Sequence, residues 1–230
     1  VVVMVIPVHN FRAVLTDAAR YLDPLTPIVS LSKGLEFSTG ARMTEIIQAV
    51  CADPPAAVLT GPNLAQEIMA GFAAASVLAT PNPRDQSHLQ RIFHSPLFRV
   101  YTNEDVIGCE LCGVLKNIIA IAAGMSDGLG AGNNTRAAII TRGLAEMTRL
   151  GLAMGAKAET FSGLAGMGDL VTTCTSAQSR NHTVGFRLGQ GNSIDSIIQD
   201  MFMVAEGIKS APAVMRLAEQ FGVAMPIAAD

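Results

Sequence analysis

Over its first hundred residues this chain alternates short β-branched runs with helical segments, and a layered α/β sheet is the architecture that such alternation specifies. Val1-Val-Val-Met-Val-Ile6 is a continuous apolar run, as expected of a strand buried on both faces of a parallel sheet. Pro7-Val-His9-Asn10 reads as a turn and Phe11 to Leu22 as a helix. A second strand at Ile28–Ser32 runs into the loop Lys33-Gly34-Leu35-Glu36, and a helix from Thr39 to Cys51 follows. The third strand, Ala57–Thr60, is closed by Gly61-Pro62 and followed by a helix over Leu64–Ala70. A strand at Ala75–Ala79, a helix at Asp85–Phe93 and a strand at Phe98–Thr102 complete the pattern. The units read as βαβ, so the expected fold is a parallel sheet with ligands at the carboxyl ends of its strands. Those ends carry Pro7-Val-His9-Asn10, Lys33-Gly34 and Gly61-Pro62-Asn63.

After Asn103 helical periodicity takes over. Glycine-rich turns are expected at Gly128–Gly132 and from Gly163 to Asp169, and helices at Thr135–Leu152, Asn181–Leu188, Ser193–Asp200 and Ser210–Phe221. The expected organisation is therefore a sheet domain over 1–103 and an all-α domain over 104–230. The stretch Phe221–Ile227 reads as a closing turn. Ile68–Pro83 is the longest charge-free run, and Gly71 and Pro81 break it too soon for a bilayer span.

Composition narrows the class. Half of the 230 residues are hydrophobic, 15% are charged and the net charge is −3, without a Lys/Arg block. That excludes nucleic-acid binding through bulk electrostatics, so local cations must hold any anionic ligand. The four cysteines, Cys51, Cys109, Cys112 and Cys174, are spread as reduced thiols in a cytoplasmic protein would be. Cys109 and Cys112 have C-x-x-C spacing, but without a second pair or a histidine cluster they read as packing, and no metal is expected.

The segment with the most chemical content is Gly108–Gly130. It sets Lys116, followed by Asn117, in a helix of small and aliphatic residues. Burying an ammonium costs several kcal/mol and depresses its pKa, which suits proton transfer near neutral pH. Lowering it by roughly two to three units from about 10.4 corresponds to roughly 3–4 kcal/mol. Asp169 follows three glycines in what reads as a loop, with Thr172 and Thr173 next to it. A carboxylate beside Lys116 would oppose the effect of burial, and sequence does not decide between them. Arg180 has the planar fork that matches phosphate, and Asn181 at a helix start adds backbone donors. His88, His94 and His182 read as surface residues, His9 as a strand-end neighbour of a ligand, and Met201-Phe-Met203 as core.

A set of strings then occurs in order: Lys33-Gly-Leu-Glu36, Gly61-Pro62, Val114-Leu-Lys116-Asn117-Ile, Gly124-Met-Ser-Asp127-Gly, Ala138-Ile-Ile-Thr-Arg142-Gly-Leu-Ala-Glu146-Met, Gly166-Met-Gly168-Asp169-Leu, Thr172-Thr-Cys-Thr175 and Ser179-Arg180-Asn181. Together they resemble the bacterial NAD(P)-dependent glycerol-3-phosphate dehydrogenases along essentially the whole chain. The resemblance implies a Rossmann-type parallel sheet, lacking its first βαβ unit, followed by an all-α substrate domain. No Gly-x-Gly-x-x-Gly follows a strand, since Gly128-Leu-Gly130-Ala-Gly132 follows a helix with the wrong spacing. The phosphate-binding turn, and the residue that separates NAD from NADP, are therefore expected upstream of Val1, and further helices beyond residue 230.

The implied activity is hydride transfer between NAD or NADP and the phosphorylated small molecules sn-glycerol 3-phosphate and dihydroxyacetone phosphate, supplying glycerophospholipid synthesis. Lys116 is the implied acid/base. Substrate contacts are implied for Lys33, Gly61, Asn63, Asn117, Asp169, Thr173, Ser179, Arg180 and Asn181. Cofactor contacts are implied for Lys33, Ala65, Arg180, Val204 and Glu206. Asn63 stands where the family more often has threonine or serine. A homodimer in the cytoplasm, with neither nucleic acid nor membrane as partner, completes the expectation. The alternatives are a related hydroxyacid- or ketopantoate-type dehydrogenase, which would need carboxylate recognition, and an inactive binding or dimerisation module left by truncation.

Overall fold

A computed structural model describes residues 1–51, 54–201 and 205–229. Five strands, β1 (Val2–Met4), β2 (Ile28–Ser30), β3 (Ala56–Thr60), β4 (Ala74–Ala79) and β5 (Phe98–Asn103), form one sheet in sequential order. Between them lie α1 (Val8–Ala19), α2 (Met43–Val50), α3 (Ala65–Met69) and α4 (Pro83–Phe93). The helical part comprises α5 (Val106–Gly128), α6 (Gly132–Ala153), α7 (Ala158–Ser162), a π-type turn at Leu164–Gly168, α8 (Asp169–Thr175), α9 (Arg180–Gly189), α10 (Ile194–Asp200), α11 (Glu206–Gln220) and α12 (Pro226–Ala229). This is the Rossmann-type sheet with an appended helical domain.

The sheet departs from all-parallel pairing at one junction. β1, β2 and β3 pair parallel, and so do β4 and β5, but β4 runs antiparallel to β3. Hydrophobic runs read the same in either direction, so sequence could not reveal this reversal. The carboxyl ends of β1, β2 and β3 therefore share one edge of the sheet, and those of β4 and β5 the opposite edge. The stretch Pro7–Asn10, expected as a turn, is instead the start of α1, with Pro7 at the cap position.

Three apolar clusters hold the sheet and its helices. Phe11, Leu15, Ile46 and Ile47 pack between α1, α2 and β1–β2, and Leu78, Leu89 and Val100 seat α4 on β4–β5. The largest cluster surrounds α5, whose Leu111, Val114, Leu115 and Ile119 are buried. This helix is long and apolar enough to cross a membrane, yet 78% of its most apolar window is buried within the fold. It is the core onto which both halves of the molecule pack.

Glycines bring α9 against α5. A Cβ at Gly124 or Gly128 would lie 2.1 or 2.2 Å from the carbonyl oxygens of His182 or Phe186. One at Gly185 or Gly189 would lie 1.9 or 2.3 Å from those of Ile121 or Met125. Both pairs recur at i and i+4, so each helix presents a glycine face and the two backbones meet directly. This close approach fixes the separation between Lys116 on α5 and Arg180 on α9.

Candidate active site

β3 is followed directly by Gly61, whose φ of +146° favours glycine over residues with a side chain. Its carbonyl accepts a hydrogen bond from Lys33 Nζ at 3.1 Å. Lys33 lies in the loop after β2, so two adjacent strand ends are tied at the edge where a ligand is expected. The same ammonium lies 2.6 Å from Asp169 Oδ2. The other carboxylate oxygen, Asp169 Oδ1, accepts from Lys116 Nζ at 2.6 Å. One carboxylate therefore bridges two ammonium groups, one from the sheet edge and one from the core helix.

Lys116 is buried, with 8% of its side chain exposed, and Asp169 with 3%. Thr173 Oγ1 accepts a second hydrogen bond from Lys116 at 2.7 Å while donating to the Asp169 carbonyl at 2.6 Å. Two of three ammonium protons are thereby held, which leaves a third for a ligand oxygen. Burial lowers the Lys116 pKa to about 8, helped by the Lys33 charge and opposed by Asp169. The contest that sequence left open is thus decided for burial and the second lysine.

Asp169 and Thr173 do not lie in the expected loop. The chain passes through the π-type turn directly into α8, and both residues belong to that helix, one turn apart. Of the three glycines, Gly166 serves close packing: a Cβ there would lie 2.1 Å from the Phe161 carbonyl oxygen. Thr172 likewise binds back to Gly168 at 3.0 Å.

Next to this network, Asn117 Oδ1 accepts from Asn181 Nδ2 at 3.0 Å, and Asn181 Oδ1 accepts from the Gly207 amide at 2.9 Å. The two asparagines join α5, α9 and the start of α11. Ser179 caps α9, its hydroxyl accepting from the His182 amide at 3.2 Å. Arg180 follows at the first helical position, is exposed, and has no ion-pair partner among the described residues.

A cleft of about 620 Å³ opens between the ends of β1 and β2 and the starts of α9 and α11. Pro7, Val8, Leu35, Phe37 and Ile208 give it apolar walls, while Lys33, Arg180 and Lys209 supply cations and His9 an imidazole. Glu206 is its carboxylate; burial raises its pKa against the opposing charges of Arg180, Lys33 and Lys116. Apolar walls with a few cations suit a ligand that has both ring and phosphate parts, as a nicotinamide nucleotide does. Through Lys33 the inner end of the cleft continues into the Lys116–Asp169 network.

Not every expected residue joins this assembly. Asn63 donates to the Ala75 carbonyl at 3.1 Å and accepts from Ser76 Oγ at 2.9 Å, which commits its amide to β4. Ala65 is exposed at the start of α3. Val204 and the Phe202–Met203 part of the Met-rich stretch lie outside the described residues. Sequence reading missed Leu35, Phe37 and Lys209, which carry no signal apart from their place beside Lys33 and Glu206. It also took His182 for a surface residue, whereas its Nε2 lies 2.7 Å from Asp127 Oδ2, with only 16% of the side chain exposed. Cys109, Cys112 and Cys174 are buried, and burial pushes the Cys174 thiol up to about 12.

A family model described as the NAD-dependent glycerol-3-phosphate dehydrogenase N-terminus matches residues 1–86, and the corresponding C-terminus model matches 105–230. A glycerol-3-phosphate dehydrogenase [NAD(P)+] of Sphingopyxis alaskensis is 63% identical over 230 residues, which is all of this chain and 69% of that protein. One from Mycobacterium avium is 53% identical, with 100% and 67% covered. The crystal structure of the Coxiella burnetii glycerol-3-phosphate dehydrogenase superposes with a TM-score of 0.94 at 42% identity, over 98% of this chain and 69% of that one. With both halves matched, in order, around one bridged pair of lysines, the chain belongs to the NAD-dependent glycerol-3-phosphate dehydrogenase family.

Proposed function

We propose that the Lys116 network catalyses reversible hydride transfer between sn-glycerol 3-phosphate and NAD or NADP, giving dihydroxyacetone phosphate. The single observation that carries this reading is the buried Lys116 ammonium, bridged to Lys33 through Asp169 at 2.6 Å on each side. The nicotinamide, when bound, supplies the acceptor or donor of the hydride at C2. Lys116 handles the proton. As a neutral amine it takes the hydroxyl proton of the alcohol during oxidation, and as an ammonium it returns one to the ketone oxygen during reduction. A group with a pKa of about 8 holds useful fractions of both forms near neutral pH.

The other residues hold and orient. Asp169 and Thr173 fix the Lys116 amine and leave one of its proton positions for the substrate oxygen. Lys33 keeps the Lys116 pKa low and polarises the same oxygen. Arg180, with the first amides of α9 and the Asn181 side chain beside it, takes the substrate phosphate. Ser179 caps that turn, Asn117 braces Asn181, and Gly61 anchors Lys33. Lys33, Arg180 and Glu206 border the cleft where the cofactor lies, and Ala65, Asn63 and Val204 remain as contacts suggested by resemblance.

The sheet domain over 1–103 then contributes the cofactor side and 104–230 the substrate side. We place the enzyme in the cytoplasm, as a homodimer that acts without nucleic acid or membrane and feeds glycerophospholipid synthesis. The test is oxidation of NADH and NADPH by the intact protein, dependent on dihydroxyacetone phosphate, beside its Lys116→Ala variant. Turnover of one reduced cofactor, lost by on the order of a hundredfold or more in the variant, is expected. Lack of turnover by the intact protein overturns the substrate assignment, and full activity of the variant overturns the role of Lys116.

A further inference from the structure

The Asp127 carboxylate takes no part in the proton or hydride transfer, yet its side chain is only 7% exposed and doubly bound. Oδ1 accepts from Arg136 Nε at 2.9 Å, and Oδ2 pairs with His182 Nε2 at 2.7 Å. Burial alone would raise the Asp127 pKa; the hydrogen bonds from Arg136 and His182 outweigh it and hold the carboxyl below its ordinary value. The three residues come from three elements. Asp127 sits at the end of α5, Arg136 in the first turns of α6, and His182 in the first turn of α9.

His182 directly follows Arg180 and Asn181. The glycine faces of α5 and α9 set how close these helices come. Two side-chain bonds add to that constraint at the start of α9. Asn181 is held by Asn117 and His182 by Asp127, adjacent residues on α9 tied to points ten residues apart on α5, or about 15 Å of helix. Such divergent ties fix both the height and the azimuth of the turn that presents Arg180. Arg136 holds the Asp127 carboxylate from the other side.

We propose that Asp127 is a positioning residue for phosphate recognition, acting through His182 to hold Arg180 and the α9 amides in register with Lys116. This rests on the function proposed above. It predicts a selective defect: a substrate without a phosphate makes no use of the α9 turn and does not register its displacement. Lys116 and Asp169 are held by separate bonds from α8 and stay in place.

The experiment compares dihydroxyacetone phosphate with dihydroxyacetone as substrates of the intact protein and of its Asp127→Asn and His182→Gln variants. For the phosphorylated ketone, KM should rise about tenfold in either variant while kcat changes far less, since small misplacements of a binding group are costly. Dihydroxyacetone kcat/KM should be unchanged, and inorganic phosphate should compete less well. Equal losses on both ketones would make Asp127 a general structural support and overturn the proposal, as would an unaltered KM for the phosphorylated one. His182→Gln carries the same test if Asp127→Asn does not fold. Absence of turnover by the unsubstituted protein on either ketone would instead overturn the dehydrogenase reading itself.

Discussion

Lys116 and Arg180 are two cations of the candidate site, and their surroundings are opposite. Lys116 is enclosed by the core helix and by α8, bound to Asp169 and Thr173, and its titration is moved toward neutrality. Arg180 stands exposed at a cleft wall, on a helix turn held rigidly from behind. The difference fits the tasks proposed for them. A proton-transfer group must be withdrawn from water for its pKa to shift, while an anion-binding group works best as a free, permanently charged fork on a fixed base. The fold serves both needs with the same core helix, α5.

The sharpest way to break this comparison is to remove the enclosed amine. Lys116→Ala should lose at least about a hundredfold in kcat while retaining cofactor binding, measured by fluorescence titration with reduced cofactor. The exposed partner should behave differently. Arg180→Gln should raise KM for the phosphorylated substrate roughly ten- to a hundredfold, the equivalent of about 1.5–3 kcal/mol of charged hydrogen bonding. Its kcat should fall less than in Lys116→Ala, and steady-state kinetics separates the two. A smaller effect is expected of Asp169→Asn, on the order of tenfold in kcat. Because the Asp169 charge raises the Lys116 pKa, its loss should also move the break in the pH–rate profile to lower pH.

Local signals made much of this legible in the sequence. Apolar runs between helical periods specify the sheet layers, and a lone lysine among aliphatic residues marks Lys116 without any structure. Distant pairings were not legible. The Asp127–His182 contact spans 55 positions and joins two helices, so a histidine flanked by polar residues read as solvent-exposed. Three glycines before Asp169 signal a loop, but the segment forms a π-type turn, and one of the three, Gly166, admits the Phe161 carbonyl beneath it. The antiparallel setting of β4 is not legible because strand composition carries no direction. The hydrogen bonds of Asn63 to Ala75 and Ser76 in β4 were likewise not legible, because they join positions 12 and 13 residues apart.

The central claim is that Lys116, tuned to about 8, carries the proton in both directions. Its most direct measurement is the pH dependence of kcat for alcohol oxidation and for ketone reduction in the intact protein and in Lys33→Met. Oxidation needs the neutral amine, so its rate should rise as pH passes upward through about 8; reduction needs the ammonium and should fall over the same interval. Removing the Lys33 charge should move both breaks to higher pH, because that charge disfavours the ammonium form of Lys116. Breaks in opposite senses, moving together, are the predicted result. Profiles without a break near 8, or breaks that ignore Lys33, would contradict the account.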